Sequence, residues 1–330
     1  MQGQILNIKN GISRSNKVIK SKYNENDYLY KQLKNGLKYL LVKDSKTDKS
    51  SAAFCVNIGS LNDPENFQGL AHFLEHMVFM GTKPYPGENE YNDFLSKNSG
   101  YSNAYTEYNK TTYYFESSNE AFIDSFKMTS RFFIDPLLNE SSVDREINAV
   151  DSEFKNCLRE DYEKYSEIMN KEDNKGTTFN KFLCGNLKTL KKPDTLDALK
   201  IFFEKHYSAD LMSCVIYSNM DLNTLEDLVD EILLEIPNKN LLKDKSNKTK
   251  ENLRNYVFNN KYAFDETNNG MFYKIAGIMD KDILNLEWVL NISYNEYYRK
   301  KPLEYIINLL GAKGPESLIS NLIKDNLISD

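Results

Sequence analysis

Two hydrophobic rhythms alternate along the chain from residue 36 onward, and their order predicts the elements. In "GLKYLLVKD" (36–44) and "SAAFCVNIGS" (51–60) apolar residues crowd into short runs on either side of a charged turn, "SKTDKS", which reads as two strands. Within the second run Ala53, Cys55 and Asn57 take one face and Ala52, Phe54, Val56 and Ile58 the other, so both faces should be mostly covered. The rhythm then becomes helical: Leu70, Phe73, Leu74, Met77 and Val78 recur at helical spacing until Gly81 and Pro84 stop the pattern. "ENEYNDFLSKNSG" predicts a short helix ending at Gly100, and "SNAYTEYNKTTYYFESS" two strands joined by a polar turn around Asn109. Asn119 is placed to cap the next helix, whose apolar stripe is Phe122, Phe126 and Phe133.

A longer helix is predicted from about Val143, where Val143, Ile147, Val150, Phe154 and Cys157 are spaced four, three, four, three. Past Gly185 and Pro193 come a helix near 195–206, a strand "LMSCVIYSN" and a helix beginning near Asn223. Strand pairs alternating with helices that cover a sheet point to an α+β sandwich, a mostly antiparallel sheet packed on helices, rather than a parallel α/β fold. The composition shifts abruptly to Lys and Asn in "PNKNLLKDKSNKTKENLRN", so residues 237–261 are expected to be an exposed linker after a first domain spanning 1–236. Residues 262–330 hold apolar elements again, ending in a helix, a Gly turn and a second helix; about 70 residues are few for an independent core.

Composition narrows the function classes. With 40% hydrophobic residues, 22 Tyr and 18 Phe, the 330-residue chain has ample material for a core, and 27% charged residues supply a solvated shell. A net charge of -6 offers no basic footprint for nucleic acid. The basic N-terminal stretch lacks the apolar core of a secretory signal, and no apolar run approaches a membrane span, which makes cytoplasm the default address and an organelle the alternative. Cys55, Cys157, Cys184 and Cys214 form no CxxC pair and read as thiols of a reducing compartment.

The candidate chemistry lies in "GLAHFLEHMVFMGTKPYP" (69–86), which carries two of the three histidines. On a helix His72 and His76 lie about 40° apart after one turn, and Glu75 about 60° from His72 on the other side, so all three share a face. Two imidazoles at this spacing suit a tetrahedral zinc ion, with the non-ligand Glu75 beside it to take a proton from water. A chance match of His-x-x-Glu-His in such a chain has a probability on the order of 1 in 500, which disfavours a pair of core histidines. A catalytic zinc takes a third protein ligand. Glu146 and Glu153, two turns apart on the predicted long helix, are both candidates, and spacing does not choose between them; His206, just before a strand, reads as structural.

These segments, with "TDKSSAAFCVNIGSLNDPEN", "FLSKNSGYSNAYTEYNKTTYYFE", "DREINAVDSE", "GNLKTL" and "LLGAKGPESLISNL", resemble the insulinase and pitrilysin zinc peptidases, an inverzincin family, and within it the insulin-degrading group. The resemblance runs in family order over roughly residues 30 to 330. It implies one zinc per chain held by His72, His76 and Glu153, Glu75 as general base, and Glu146 as a supporting member of the catalytic set. It also matches "SNAYT" to the strand that holds extended peptide substrate, through the Asn103 side chain and the main chain of Ala104 and Tyr105. The implied function is a zinc endopeptidase for extended, unstructured peptides. In the insulin-degrading group a second, related half closes a chamber and completes the site, and nothing in this sequence matches it. Residues 262–330 are then the start of a second, incomplete insulinase-like domain, and the expected partner is a second subunit or C-terminal half. A non-catalytic peptide-binding or chamber-forming subunit is the alternative, and a structural zinc protein a distant third.

Overall fold

The computed structural model describes residues 11–15, 18–172, 181–241, 270–278, 280, 282–288 and 300–329. The chain divides into two compact units, Met1–Asp280 and Lys281–Asp330. In the first unit strands β1 (Gly11–Ser15), β2 (Asp27–Leu33), β3 (Lys38–Lys43) and β4 (Lys49–Val56) precede helices α1 (Leu70–Met77) and α2 (Glu90–Lys97). The hairpin β5 (Tyr101–Thr106) and β6 (Thr111–Ser118) follows, then α3 (Phe122–Ser130), α4 (Glu140–Cys157), α5 (Asp161–Glu172), α6 (Leu187–Leu190) and α7 (Thr195–His206). Strand β7 (Met212–Ser218) and helix α8 (Leu222–Leu234) complete the described elements of this unit. In the second unit α9 (Pro302–Leu310) is followed by α10 (Leu318–Lys324), whose N-cap Ser317 accepts from the Ser320 N–H, matching the expected helix, Gly turn and helix. Of the Lys/Asn-rich stretch expected as an exposed linker, residues 237–241 are held to the first unit, where the Ala209 N–H donates to the Pro237 carbonyl and the Lys239 N–H to Ser208 Oγ, both at 2.9 Å, and the rest, with the first residues beyond it, lies outside the described residues.

Among the described residues seven strands form one mixed sheet in the order β1-β2-β3-β7-β4-β6-β5, with β3 and β7 parallel and every other pairing antiparallel. The expected mostly antiparallel α+β architecture is therefore present. The two strands flanking "SKTDKS" are not neighbours, because β7 runs between them. The turn that joins them is clasped to the end of β7, where the Asp44 N–H donates to the Ser218 carbonyl at 2.9 Å and the Tyr217 hydroxyl donates to the Asp44 carboxylate at 2.5 Å.

Alternate strand positions bury the core. Tyr39, Leu41, Phe54, Tyr113, Phe115 and Ile216 are almost wholly inaccessible, and α1, α3 and α8 pack onto the sheet. The Phe stripe of α3 and of the 3-10 turn that follows it, Arg131–Phe133, meets them: Phe54 lies 5.2 Å from Phe126 and 5.0 Å from Phe133 between ring centroids, a spacing that adds aromatic contact to area burial. On β4 the opposite face is thinner than expected, since Ala53 and Cys55 are only half-buried. Asn119 does not cap α3, whose N-cap is Ala121; its side chain instead accepts from Ser50 Oγ at 2.6 Å and donates to the Thr47 carbonyl.

Strands β1 and β2 both escaped the hydrophobic pattern, and in β2 a lysine sits on the buried side. Leu29, Lys31 and Leu33 of β2 all point inward, and Lys31 is 1% exposed. Its ammonium pairs with Glu226 at 3.0 Å and more closely with Asp230 on α8, while Tyr39 donates to the second Asp230 oxygen at 2.6 Å. A buried charge so placed is tolerated only with its partners. Asp230→Asn keeps the shape but removes the charge facing Lys31. It should lower unfolding stability by about 1.5–3 kcal/mol, read from the urea midpoint; an unchanged midpoint would show that Glu226 alone satisfies the lysine.

No described helix is long and apolar enough to cross a membrane. The four cysteines are free thiols.

Candidate metal centre

Helix α1 carries the histidines because its two faces differ. Leu70, Ala71, Phe73, Leu74 and Met77 are buried, and His72 and His76 project from the less buried side. Its N-terminus is held from outside the helix. Both oxygens of buried Asp63 accept backbone bonds, from Gly69 N–H at 2.7 Å and Ala71 N–H at 2.8 Å, which satisfies first-turn donors that no helix can satisfy itself. Burial pushes the Asp63 pKa up to about 7 against the pull of those N–H groups and of Lys181. The amine of Lys181 donates to the Leu61 and Asp63 carbonyls, at 3.2 and 2.5 Å.

Gly69 and Gly185 then let two backbones meet. Both have positive φ, +90° and +84°, and a Cβ on Gly69 would fall 2.2 Å from Gly185 Cα. No side chain fits there. This contact brings the Cys184 carbonyl within 2.7 Å of His72 Nδ1. A carbonyl can only accept, so Nδ1 carries the proton and Nε2 presents its lone pair.

Helix α4 packs against α1 and supplies the carboxylates. Glu153 Oε2 lies 3.6 Å from His72 Nε2 and 3.5 Å from His76 Nε2. Ligand atoms of His72, His76 and Glu153 all fall within 4.8 Å of one another. Adjacent ligands around a tetrahedral ion with bonds of about 2.0–2.1 Å stand about 3.3–3.4 Å apart, so both measured edges are within about 0.3 Å of what such an ion requires. Two imidazoles and one carboxylate are also a donor set suited to it. Glu146 occupies a different place: its Oε2 faces His76 Nδ1, the nitrogen turned away from Glu153, at 3.6 Å, and its Oε1 accepts from Arg145 Nε at 3.2 Å. Each histidine thus has a polar partner on Nδ1 and turns Nε2 toward Glu153.

The charges follow from this packing. Burial works against a proton on His76, but Glu146 and Glu153 outweigh it and raise its pKa to about 9. His76 in turn holds both carboxylates below their ordinary range. A metal must displace the His76 proton, so binding is favoured as pH rises. Glu75, also on α1, is buried, and burial raises its carboxyl pKa. Thr106 donates to its Oε2 at 2.5 Å.

The strand matched to substrate lies at the edge of the sheet, where among the described strands β5 pairs with β6 alone. Asn103 and Tyr105 are exposed and Ala104 half-buried. The Ala104 N–H donates to Asn103 Oδ1 at 2.9 Å, so this N–H is not part of the β6 ladder. His206 stands apart from the group of three: it is buried against Phe202, and burial pushes its pKa down to about 4. The Cys184 carbonyl, Asp63, Arg145 and Thr106 were not singled out from the sequence. Of these, only the Cys184 carbonyl has a local sequence signal, the adjacent Gly185 at the close approach of two backbones.

A profile described as "Insulinase (Peptidase family M16)" matches residues 38–180, and one described as "Peptidase M16 inactive domain" matches residues 195–330. Insulin-degrading enzyme of Bos taurus is 38% identical over 312 residues, which cover 92% of this chain and 29% of that protein. A Schizosaccharomyces pombe protein named as a candidate zinc protease is 37% identical over 306 residues, 90% of this chain and 30% of its own. Among solved structures, pitrilysin superimposes with a TM-score of 0.68 at 36% identity, over 70% of this chain and 25% of its own. The chain therefore spans less than a third of the length of these relatives.

Proposed function

The chain belongs to the insulinase family, peptidase family M16, and from that premise we propose that it is a zinc-dependent endopeptidase acting on extended, unstructured peptides. The observation that carries the reading is the convergence of His72 Nε2, His76 Nε2 and Glu153 Oε2 beside a buried, non-ligand glutamate. The three side chains would hold one zinc ion. Bound zinc supplies the positive charge that lowers the pKa of water to about 7 and polarises a peptide carbonyl.

This chain's own residues do the rest. Glu75 takes the proton from the attacking water and returns it to the leaving amine, a role favoured by the upward shift that burial gives its carboxyl. Glu146 orients His76 through Nδ1. An extended substrate adds to β5 as a further strand: the Ala104 N–H exchanges the Asn103 side chain for a substrate carbonyl and the freed Asn103 amide binds substrate backbone, while Tyr105, whose main chain turns by the ladder's alternation toward Thr112 of β6, flanks the substrate with its exposed ring. Main-chain pairing tolerates many sequences but requires an extended chain.

In this reading residues 1–236 form the peptidase domain and 262–330 begin a second domain of the same type. A second half, as a separate subunit or C-terminal half, encloses the substrate, which the greater length of the relatives supports. The free thiols support a cytoplasmic address. Zinc-loaded chain is expected to cleave a quenched flexible peptide faster than the same sequence held in a disulfide-locked hairpin. If zinc-loaded chain is inert toward both, alone and mixed with a second half, the reading passes to a peptide-binding chamber subunit.

A further inference from the structure

The base in the proposed reaction is itself held by a hydroxyl that the ligand set does not include. Thr106 ends β5, and its side chain faces α1, so that Oγ1 reaches Glu75 Oε2 at 2.5 Å. The second hydroxyl within reach of Thr106 is Thr111 Oγ1, at 3.3 Å. Thr111 has one proton and places it on the Ile58 carbonyl at 3.0 Å. The Tyr207 hydroxyl, beside Thr111, lies 2.7 Å from the hydroxyl of Tyr113, with both phenols buried. With that layer fixed, the single Thr106 proton points at Glu75.

We infer that Thr106 is a positioning residue for the reaction: its hydroxyl occupies Oε2 of Glu75 and leaves Oε1 as the oxygen that exchanges the proton. A carboxylate pinned at one oxygen cannot rotate its basic lone pair away from the reacting atoms, and misplacement by about 1 Å costs on the order of 100-fold in rate. The hairpin adds a second consequence. The substrate strand and the base are positioned by the same β5, through Ala104 on its edge and Thr106 on its inner side. This inference rests on Glu75 being the base.

The test compares Thr106→Val, which keeps the branched shape without the hydroxyl, with Thr106→Ser, which keeps the hydroxyl. In zinc-loaded chain Thr106→Val should lower kcat on a flexible quenched peptide by about 10–100-fold, with KM and zinc content unchanged and the fold retained, and Thr106→Ser should restore most of it. A second readout needs no turnover. With 13C-carboxyl glutamate, the infrared difference against Glu75→Gln isolates the Glu75 carboxylate band, which should shift in Thr106→Val and return in Thr106→Ser. A band unmoved in Thr106→Val, or a kcat equal to wild type, overturns the inference. Wild-type chain that holds zinc but cleaves nothing would sink the peptidase reading, while the infrared comparison still decides whether Thr106 grips Glu75.

Discussion

Glu75→Gln is expected to lower kcat on a flexible peptide by about 10²–10⁴-fold while zinc content stays at one per chain. Glutamine fills the same volume, and its carbonyl still accepts from Thr106, so the packing under α1 is preserved. What it lacks is a carboxylate oxygen that binds and releases a proton. The loss corresponds to about 3–5 kcal/mol of transition-state stabilisation. Zinc should remain because the converging ligand atoms belong to His72, His76 and Glu153, and Glu75 is not among them. The measurement is kcat with metal content determined on the same sample. Turnover close to wild type at full zinc would remove Glu75 from the role of base, and loss of zinc would make it a ligand.

The sequence carried the metal helix more plainly than the rest of the site, and the reason is range. His72, Glu75 and His76 lie within one turn and a half, so periodicity alone puts them on one face. The long helix was legible through its apolar stripe, which brought Glu146 and Glu153 forward together but gave no means of separating them. What separates them spatially is the packing of α4 on α1, a contact between segments about seventy residues apart. The Cys184 carbonyl reaches His72 across 112 positions and Thr106 reaches Glu75 across 31, and neither partner belongs to a residue type that announces chemistry. The fold shows the same division. Strands β3 to β6 could be read from their apolar runs, whereas β2 was masked by inward-facing Lys31, whose counter-charges lie on α8. The insertion of β7 between β3 and β4 is a fact of strand order, and local pattern contains no term for it.

Glu153→Gln should cost zinc affinity by more than about 100-fold, whereas Glu146→Gln should keep stoichiometric zinc and slow turnover by about 10–100-fold, the range of an outer partner. The difference follows from which nitrogen each carboxylate meets. Glu153 Oε2 is equidistant, within 0.1 Å, from Nε2 of both histidines, the only arrangement of the two acids that lets one oxygen share an ion with both rings. Glu146 Oε2 meets Nδ1 of His76, on the opposite side of the ring, and from there it can orient the imidazole but cannot join the same coordination shell. An amide at 153 offers a neutral oxygen in place of a charge, while an amide at 146 still accepts a bond from His76. Competition with a chromogenic chelator at fixed pH measures the two affinities, and His206→Gln serves as a control whose zinc binding should match wild type. Equal affinities for the two glutamate variants would mean that the carboxylates exchange places when the ion enters, and the assignment of Glu153 as ligand would fail.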